Sequence, residues 1–579
     1  MEEKANQLKE NLIKVSLMKK WAFFALLSVF LLGLILRILP LTSYAVWGSD
    51  TGEYYYLTKS LVENHYISFD YSGWGFGYPY FPGMFVLTGS AGFLGFNLMD
   101  VLLILTPVVS GLSVILIFFI TKNVFKDDRI GIVSALLFAV AIPHVFTTSH
   151  PMPGSLGDFL LLFCVFLFLK TYKNKNFILL LVPSATALII THHLSSYFLF
   201  ISILFFVFMR ELVQKSSDKK KLWIEIPFLC FFFATMMIQW LWIAKPFENI
   251  IYDAFKIKSL IIVVLSCLAF SALPLIVFFR RKIPWEYKPK HPTYKGMLIK
   301  YCAAIAVSFP MLMMAVFVKV PGTTITIDRS SIILFAPTII LFSFCVIGTG
   351  FSDFYKNGNF LFCWLGAISL SMLVGVVTDN TVLIPYRHLQ YIVVPLVMFA
   401  GVGIVKFYDG CKRKNLKNAF FACSFVMLLV LAPFSCYPPA NVLGGFEEGT
   451  DYRDMDAVFW VKENLPDATI ASDHRLSSML FGFADTEPTW EYAPTVFHSS
   501  SFNESKDELL DCRTPSGEKR IDYVFIDKTM KEKGVALSQY ENAEPMSTQS
   551  IEKFDCEPFV KIYDNGYVQI YRIDWELVE

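Results

Sequence analysis

Two carboxylates, Asp50 and Glu53, stand beside three consecutive tyrosines in VWGSDTGEYYYLTKSLVEN, Val46 to Asn64, directly after an apolar run that ends LGLILRILPLTSY. Helical spacing places Asp50 and Glu53 on one face about one turn apart, with Tyr54 next to Glu53. A carboxylate so mounted can act as a general base or as a metal ligand at the mouth of a cavity. It can also simply cap a helix, because SDTGE is a sequence that starts one. The two roles are compatible. Other ionisable groups recur at similar places in the chain. His150 and Asp158 flank PMPGSLG, His192 and His193 lie in THHLSSY, and Asp379, Arg387 and His388 lie in TDNTVLIPYRHLQY. Each alone is more often an interfacial residue than a site, but together they point to one common site. Arg387 either snorkels from the start of a span or presents its fork of donors to a phosphate at headgroup depth.

The elements that must position these residues are membrane spans. Hydrophobic residues make up 55% of 579 and charged residues 17%, too apolar a balance for a single water-soluble core. Apolar runs of about 20 residues begin near Trp21, Asn97, Ile130, Leu156, Phe177, Ser195, Leu222, Ser259, Met297, Ser331, Phe360, Gln390 and Ala419, so about thirteen spans are expected. The Lys- and Arg-rich loops, including KNVFKDDR, KTYKNKN, RELVQKSSDKKK and KFYDGCKRKNLKN, carry roughly four times the basic residues of the opposite loops, which places them and the N-terminus in the cytoplasm. Residues 1–20 are then a cytoplasmic N-terminus and 21–436 the membrane domain, with an elaborated outer loop over 41–96. Residues 437–579 form an extracytoplasmic soluble domain. Asp50, Glu53 and the other polar groups fall on the outer side. The net charge of +1 gives no support to nucleic-acid binding.

The tail turns polar and ordinary for a globular domain. AVFWVKENLP is apolar at helical spacing and ends at Pro466, while TIASD, YVFIDK and FVKIYDNGYVQIYRI read as strands with an Asn565-Gly566 hairpin turn. A small α/β or α+β domain is expected. Eight of the eleven cysteines lie in or beside apolar runs without metal-ligand spacing; in an oxidising compartment Cys512 and Cys556 could pair.

With GSDTGEYYY in the first outer loop, GSLGD entering the fourth span, YRHLQYIVVPL near the end of the bundle and an outer tail domain, the chain resembles the GT-C membrane glycosyltransferases. It is most similar to archaeal enzymes related to the catalytic subunit of oligosaccharyltransferase. The resemblance implies a polyprenyl- or dolichyl-phosphate-linked sugar donor, inversion at the anomeric carbon and a catalytic acid in the first outer loop. The acceptor, whether glycan, protein or lipid, is left open. By position Asp50 matches that acid, Asp158 lies near the second acidic motif, and Arg387 looks like the arginine that holds lipid phosphate. The chain departs from the family where WWDYG would stand: after ENLPDATIA it reads SDHRLSSMLFGF, which argues against recognition of an asparagine sequon. The second acidic motif is reduced to one aspartate, which leaves a divalent cation, Mg or Mn, held by Asp50 and Asp158, open.

Transfer from such a donor needs a base, positive charge on the departing phosphate and exclusion of water. Asp50 is the expected base with Glu53 in reserve. Arg387, helped by Arg329 or Lys245, would neutralise the phosphate, and His150, Asp158, His192, His193, His388 and Tyr54 would line the site. The aromatic loop YSGWGFGYPYFPG can stack on sugar faces. The main alternative is a transporter or flippase of lipid-linked sugars, which would put coupling residues near the midplane and show paired repeats. Neither feature is evident in the sequence.

Overall fold

Helix starts along the chain carry the expected stop-and-start chemistry. Asn97 accepts from the Met99 and Asp100 amides to open Leu98–Gly111, and Asp127 caps Asp128–Ala139. Proline stands in the first turn of Pro153–Thr171 and Pro385–Gly410, where its missing N–H costs nothing. The computed structural model describes residues 2–213, 219–255, 290–319, 329–355, 357–378, 382–413, 444–538 and 541–578, together with 380, 415, 417–419, 422, 426, 430 and 435–440. Among the described residues, eight helices are long and apolar enough to cross a membrane: Lys20–Thr42, Leu98–Phe125, Pro153–Thr171, His193–Glu211, Lys221–Ile243, Tyr294–Met314, Gly358–Thr378 and Pro385–Gly410. The run expected from Ile130 is a pair, Asp128–Ala139 and Ile142–Ser149, bent by 58°. Those expected from Phe177 and Ser331 form shorter apolar helices, Lys175–Ile189 and Ala336–Thr349. The runs near Ser259 and Ala419 lie wholly or largely outside the described residues, as does Asp379.

The bundle core joins Phe138, Phe168, Phe198, Phe344, Trp364 and Tyr391, all fully buried or nearly so. Pro153–Thr171 and Pro385–Gly410 are the most enclosed spans, so the ends of these two helices are the natural floor of any site built on the bundle.

The C-terminal domain has a five-stranded mixed sheet in the spatial order Glu487–Pro488, Thr469–Ala471, Tyr523–Asp527, Val568–Ile573, Phe559–Asp564. The first three strands run parallel, whereas Val568–Ile573 is antiparallel to both its neighbours. Gly566 takes the left-handed backbone (φ 79°) that the Asn565-Gly566 turn needs. Tyr452–Asn464 is opened by a capping box between Asp451 and Asp454. Cys512 and Cys556 do not pair: both are free, Cys512 buried with its Sγ toward the Tyr492 carbonyl and Cys556 exposed.

The segment between the first span and Asn97 is held from both sides. Val46–Trp47 pairs antiparallel with Gly449–Thr450, so the loop adds a short ribbon to the entrance of the C-terminal domain. The helix Thr51–Asn64 crosses His474–Ala484 with backbones in contact. A Cβ on Gly52 would meet the Ser478 carbonyl oxygen at 1.8 Å, and one on Gly482 would meet the Gly52 oxygen at 2.1 Å. Tyr55 stacks on Phe483 at 4.2 Å beside this crossing, and Tyr56 packs on Phe481 with tilted rings at 4.6 Å. On the other side Tyr54 and Leu57 pack with Met84, Phe85, Leu102 and Leu156, which ties the same helix to the bundle.

Because the obstructing atoms at the crossing are backbone, an added methyl cannot be absorbed by a side-chain rotation. Gly482→Ala should lower stability by about 1–3 kcal/mol, seen as a reduced unfolding temperature of the detergent-solubilised protein. An unchanged unfolding temperature would show that the two helices do not meet there.

Candidate active site at the junction of loop and C-terminal domain

Asp50 occupies the N-cap position of Thr51–Asn64, but its side chain makes no capping bond. Its backbone (φ −90°, ψ 5°) is outside the extended region from which a cap residue reaches back to the helix amides, and this turns the carboxylate away. Oδ1 lies 2.8 Å from His474 Nε2, and Oδ2 accepts from the Tyr78 hydroxyl at 3.0 Å, with the Tyr54 hydroxyl at 3.2 Å. Burial raises the Asp50 carboxyl, yet the hydrogen bond and charge of His474, with the two tyrosine hydroxyls, outweigh it and hold the group below its ordinary value. Its side chain is 26% exposed, against 5% for His474 and 19% for Glu491.

His474 opens the helix His474–Ala484. Asp473 is the residue that caps this helix, accepting from the Leu476 amide at 2.9 Å, so the imidazole is free of helix duties. The His474 amide donates to the Ala536 carbonyl, and its Nδ1 lies 3.3 Å from Glu491 Oε1. Glu491 is aimed there by a turn in which Trp490 adopts a left-handed backbone (φ 54°) and donates its amide to Ser477 Oγ. Burial acts to lower the imidazole, but Asp50 and Glu491 overcome it and raise His474 well above its ordinary value. Next to it Arg475 is buried against Asp454 and Asp527, locking the start of the helix to two other elements. Trp74 stands edge-on to the imidazole at 4.9 Å.

Glu53, one turn on, is wholly buried. Oε1 accepts from the Tyr71 hydroxyl at 2.7 Å and from the Gly75 amide at 2.9 Å, while Oε2 has no hydrogen-bond partner. Burial first, and then the charge of Asp50, push its carboxyl up to about 7. Glu53 thus clasps the aromatic loop of residues 71–80 over the cluster.

The remaining polar groups meet at the same end of the bundle. Trp47 Nε1 donates to Ser149 Oγ at 2.9 Å and its ring stacks on His150 at 5.3 Å; His150 Nε2 lies 3.6 Å from Glu448. Deeper, Ser195 Oγ donates to Asp158 Oδ1 at 3.2 Å and lies 2.9 Å from the Tyr391 hydroxyl and 2.8 Å from His192 Nδ1. His144 faces Asp158 Oδ2 at 3.7 Å and is in turn 3.0 Å from Arg37 Nη2. Arg387, half-buried at the start of its span, is near enough for its charge to act on His192 and His193. His193 also packs on Phe247 and Phe81, which links this region to the aromatic loop.

Several expected members stand elsewhere. His388 bonds inside the bundle, to Ser371 Oγ at 2.9 Å and the Ile384 carbonyl at 3.0 Å. Lys245 is 65% exposed and faces Glu248, although its helix carries Phe247 to His193; Arg329 is exposed over the Phe317 ring. Neither cation is brought to the Asp50 cluster. Asp50 and Asp158 keep separate partners, and among the described residues no group of three or more His, Cys, Asp and Glu is placed to hold a metal ion. Sequence reading missed His474 and Glu491, and reached Tyr71 and Tyr78 only as members of the aromatic loop, without their bonds to Glu53 and Asp50. An available signal was a cap aspartate followed by His-Arg at the head of an amphipathic helix, since neither charged side chain serves that helix. Arg37, charged within an apolar span, was a second.

A membrane bundle whose first loop is clasped by a C-terminal α/β domain, with a carboxylate at their junction, has the GT-C fold. The structure is similar to that of the Archaeoglobus fulgidus oligosaccharyltransferase tethered with an acceptor peptide containing the NVT sequon (TM-score 0.59, 16% identity, covering 89% of this chain and 70% of that one). It is also similar to the same Archaeoglobus fulgidus enzyme in complex with Zn and sulfate (TM-score 0.57, 14% identity, 88% and 68% covered). No protein-family model and no curated protein matches the chain.

The raised Glu53 carboxyl has a consequence for stability. The folded state holds this proton more tightly than the unfolded chain, whose carboxyl titrates near 4.5, so stability is lost as pH rises from about 4.5 to about 7. Glu53→Gln, which keeps the bonds to Tyr71 and Gly75, removes that loss. At pH 8 the variant should be more stable than the native protein by up to about 3 kcal/mol, with near parity at pH 4.5. Unfolding curves across this range check it; a pH-independent difference would contradict it.

Proposed function

We propose that the protein is an inverting glycosyltransferase that moves a sugar from a polyprenyl- or dolichyl-phosphate donor to an acceptor hydroxyl at the extracytoplasmic membrane surface. The observation that carries this reading is the Asp50 carboxylate. It is partly exposed, fixed by three donors at the junction of loop and C-terminal domain, and lies at the bundle end where the charge of Arg387 reaches His192 and His193. The GT-C fold supports it.

In this reading the acceptor oxygen attacks the anomeric carbon while Asp50 takes its proton. The bond from that carbon to the phosphate oxygen breaks, and its electron pair leaves with the lipid phosphate, whose charge Arg387 balances. Attack from the face opposite the leaving group inverts the anomeric centre. Trp74, Tyr71 and Tyr78 cover the site and limit water. Glu53, enclosed on all sides, positions the covering loop and does not meet the acceptor. The stretch SDHRLSSMLFGF, in place of WWDYG, supports an acceptor other than a sequon asparagine.

The Zn of the Archaeoglobus fulgidus complex raises the question of a cation here. Asp50 is bonded to His474, Tyr78 and Tyr54 and Asp158 to Ser195, so the two carboxylates do not converge on one cation, and among the described residues no group of three or more His, Cys, Asp and Glu is placed to hold one.

A panel of radiolabelled polyprenyl-phosphate sugars presented to reconstituted protein tests the reading. Asp50→Asn should abolish transfer with little change in unfolding temperature; transfer at the native rate would remove Asp50 from the chemistry. Because Asp50 is held below its ordinary value, the rate should be flat from about pH 5 to 7; a rising limb near 7 would move the base to Glu53. Arg387→Met should weaken donor use by about 30- to 1000-fold, or about 2–4 kcal/mol. Arg387→Lys, which keeps charge without the planar fork, should retain part. Normal donor use by Arg387→Met would leave it an interfacial anchor.

A further inference from the structure

We propose that a cavity at the end of the bundle opposite Asp50 binds the phosphodiester headgroup of a membrane lipid. The proposal is independent of the reaction assigned to Asp50. The cavity has a volume of about 370 Å³, and Lys290, Lys300, Thr349, Ser352, Asp353 and Phe362 stand in its wall. Its place follows from the span Pro385–Gly410. Arg387 stands at the start of that span, on the Asp50 side. At the other end, about 39 Å away along a 26-residue helix, a Cβ on Gly410 would meet Met297 and Tyr294. These two residues open the helix Tyr294–Ala315, which supplies Lys300 to the cavity. Thr349, Ser352 and Asp353 come from the turn that ends Ala336–Thr349, and Phe362 from the start of Gly358–Thr378. A cavity built from the ends of three apolar helices lies at headgroup depth.

The charges in this wall are uncommitted. Among the described residues, Lys290, Lys300 and Asp353 have no ion-pair or hydrogen-bond partner, although all three border one cavity. Lys300 sits in the second turn of its span, and a Cβ on Gly350 would meet its Nζ at 2.9 Å. The ammonium therefore rests against the end of the neighbouring helix and does not reach out past its own span as a snorkelling lysine does. Lys290 is set by the residue after it, since His291 stacks on Phe354 with ring centroids 3.9 Å apart. The Thr349 and Ser352 hydroxyls donate to the Val346 and Thr349 carbonyls. The donors these side chains leave for a ligand are thus the two ammonium groups, with three N–H bonds each. Two cations and one carboxylate leave one net positive charge. That matches a singly charged phosphodiester better than a phosphate monoester, whose charge approaches two. The flank of the cavity is apolar and open to lipid. Phe362 and Ile299, next to Lys300, are exposed, and Tyr294–Met314 is the least enclosed of the eight long spans. Acyl chains have a surface to lie on there, and basic pockets between spans suit anionic headgroups.

Native mass spectrometry of the full-length protein in detergent, titrated with dioleoyl phosphatidylglycerol, tests the proposal. One molecule should be retained in preference to dioleoylglycerol, which has the same chains and no phosphate. The double variant Lys290→Gln, Lys300→Gln should weaken that binding about tenfold or more. Lys295→Gln, which changes an exposed lysine outside the cavity wall, should leave it unchanged. Asp353→Asn removes the opposing carboxylate and should tighten binding about twofold or more, a gain that a misfolded protein would not give. Glycerophosphoglycerol and inorganic phosphate in excess should not displace the lipid. Equal retention of dioleoylglycerol, native affinity in the folded double variant, or unchanged or weaker binding by Asp353→Asn would overturn the proposal. Displacement by either soluble anion at the affinity of the lipid itself would show that the cavity takes a free phosphate compound, and would overturn the assignment to a lipid.

Discussion

The contact between Gly52 and the Ser478–Gly482 backbone governs the rest of the site. Two helices that meet through Gly52 and Gly482 can approach until their backbones touch, and only then does the first residue of one, His474, reach the residue that precedes the other, Asp50. The same approach brings Glu491 to the far side of the imidazole and Tyr55 onto Phe483. The short ribbon between Val46–Trp47 and Gly449–Thr450 fixes the direction in which the loop enters. A membrane bundle and a C-terminal domain, joined by a long stretch of chain, thereby share one carboxylate.

Charge is handled differently at the two depths of this end of the bundle. At the junction, carboxylates alternate with cations: Asp50, His474 and Glu491 in one line, and Asp454, Arg475 and Asp527 just behind it. Burial alone would push such carboxylates toward their neutral forms, and the adjacent cations oppose it. Deeper in the bundle Asp158 is met chiefly by hydroxyls and imidazoles, with Arg37 reached only through His144. The first arrangement suits a group that must stay anionic while partly open to an acceptor. The second suits a rigid polar floor from which Arg387, His192 and His193 are presented.

Apolar runs of membrane length are legible because lipid leaves the backbone few other options, and eight of them reappear as full-length helices. The tail strands and the Asn565-Gly566 turn were equally open to reading, since alternation and a left-handed turn residue are local signals. What was hidden is non-local. Nothing around Asp50 announces that its partner lies at His474, and SDTGE reads as a cap because its cap geometry depends on a backbone angle that the docking imposes. Likewise Lys245 and Arg329 suggest phosphate ligands by charge, but exposure and local partners claim them. Cys512 and Cys556, which a polar tail suggested as a pair, are both free, one buried and one exposed.

In the proposed reaction a lipid-phosphate sugar would lie between Asp50 and Arg387 at the loop end of the bundle. A cryo-electron-microscopy structure of the protein with a non-transferable polyprenyl-phosphonate sugar tests it most directly. The account predicts phosphonate density against the Arg387 guanidinium, near His192 and His193, with the sugar extending toward Asp50 beneath Trp74. Density for the ligand at any other position, with Arg387 and Asp50 both clear of it, would contradict it.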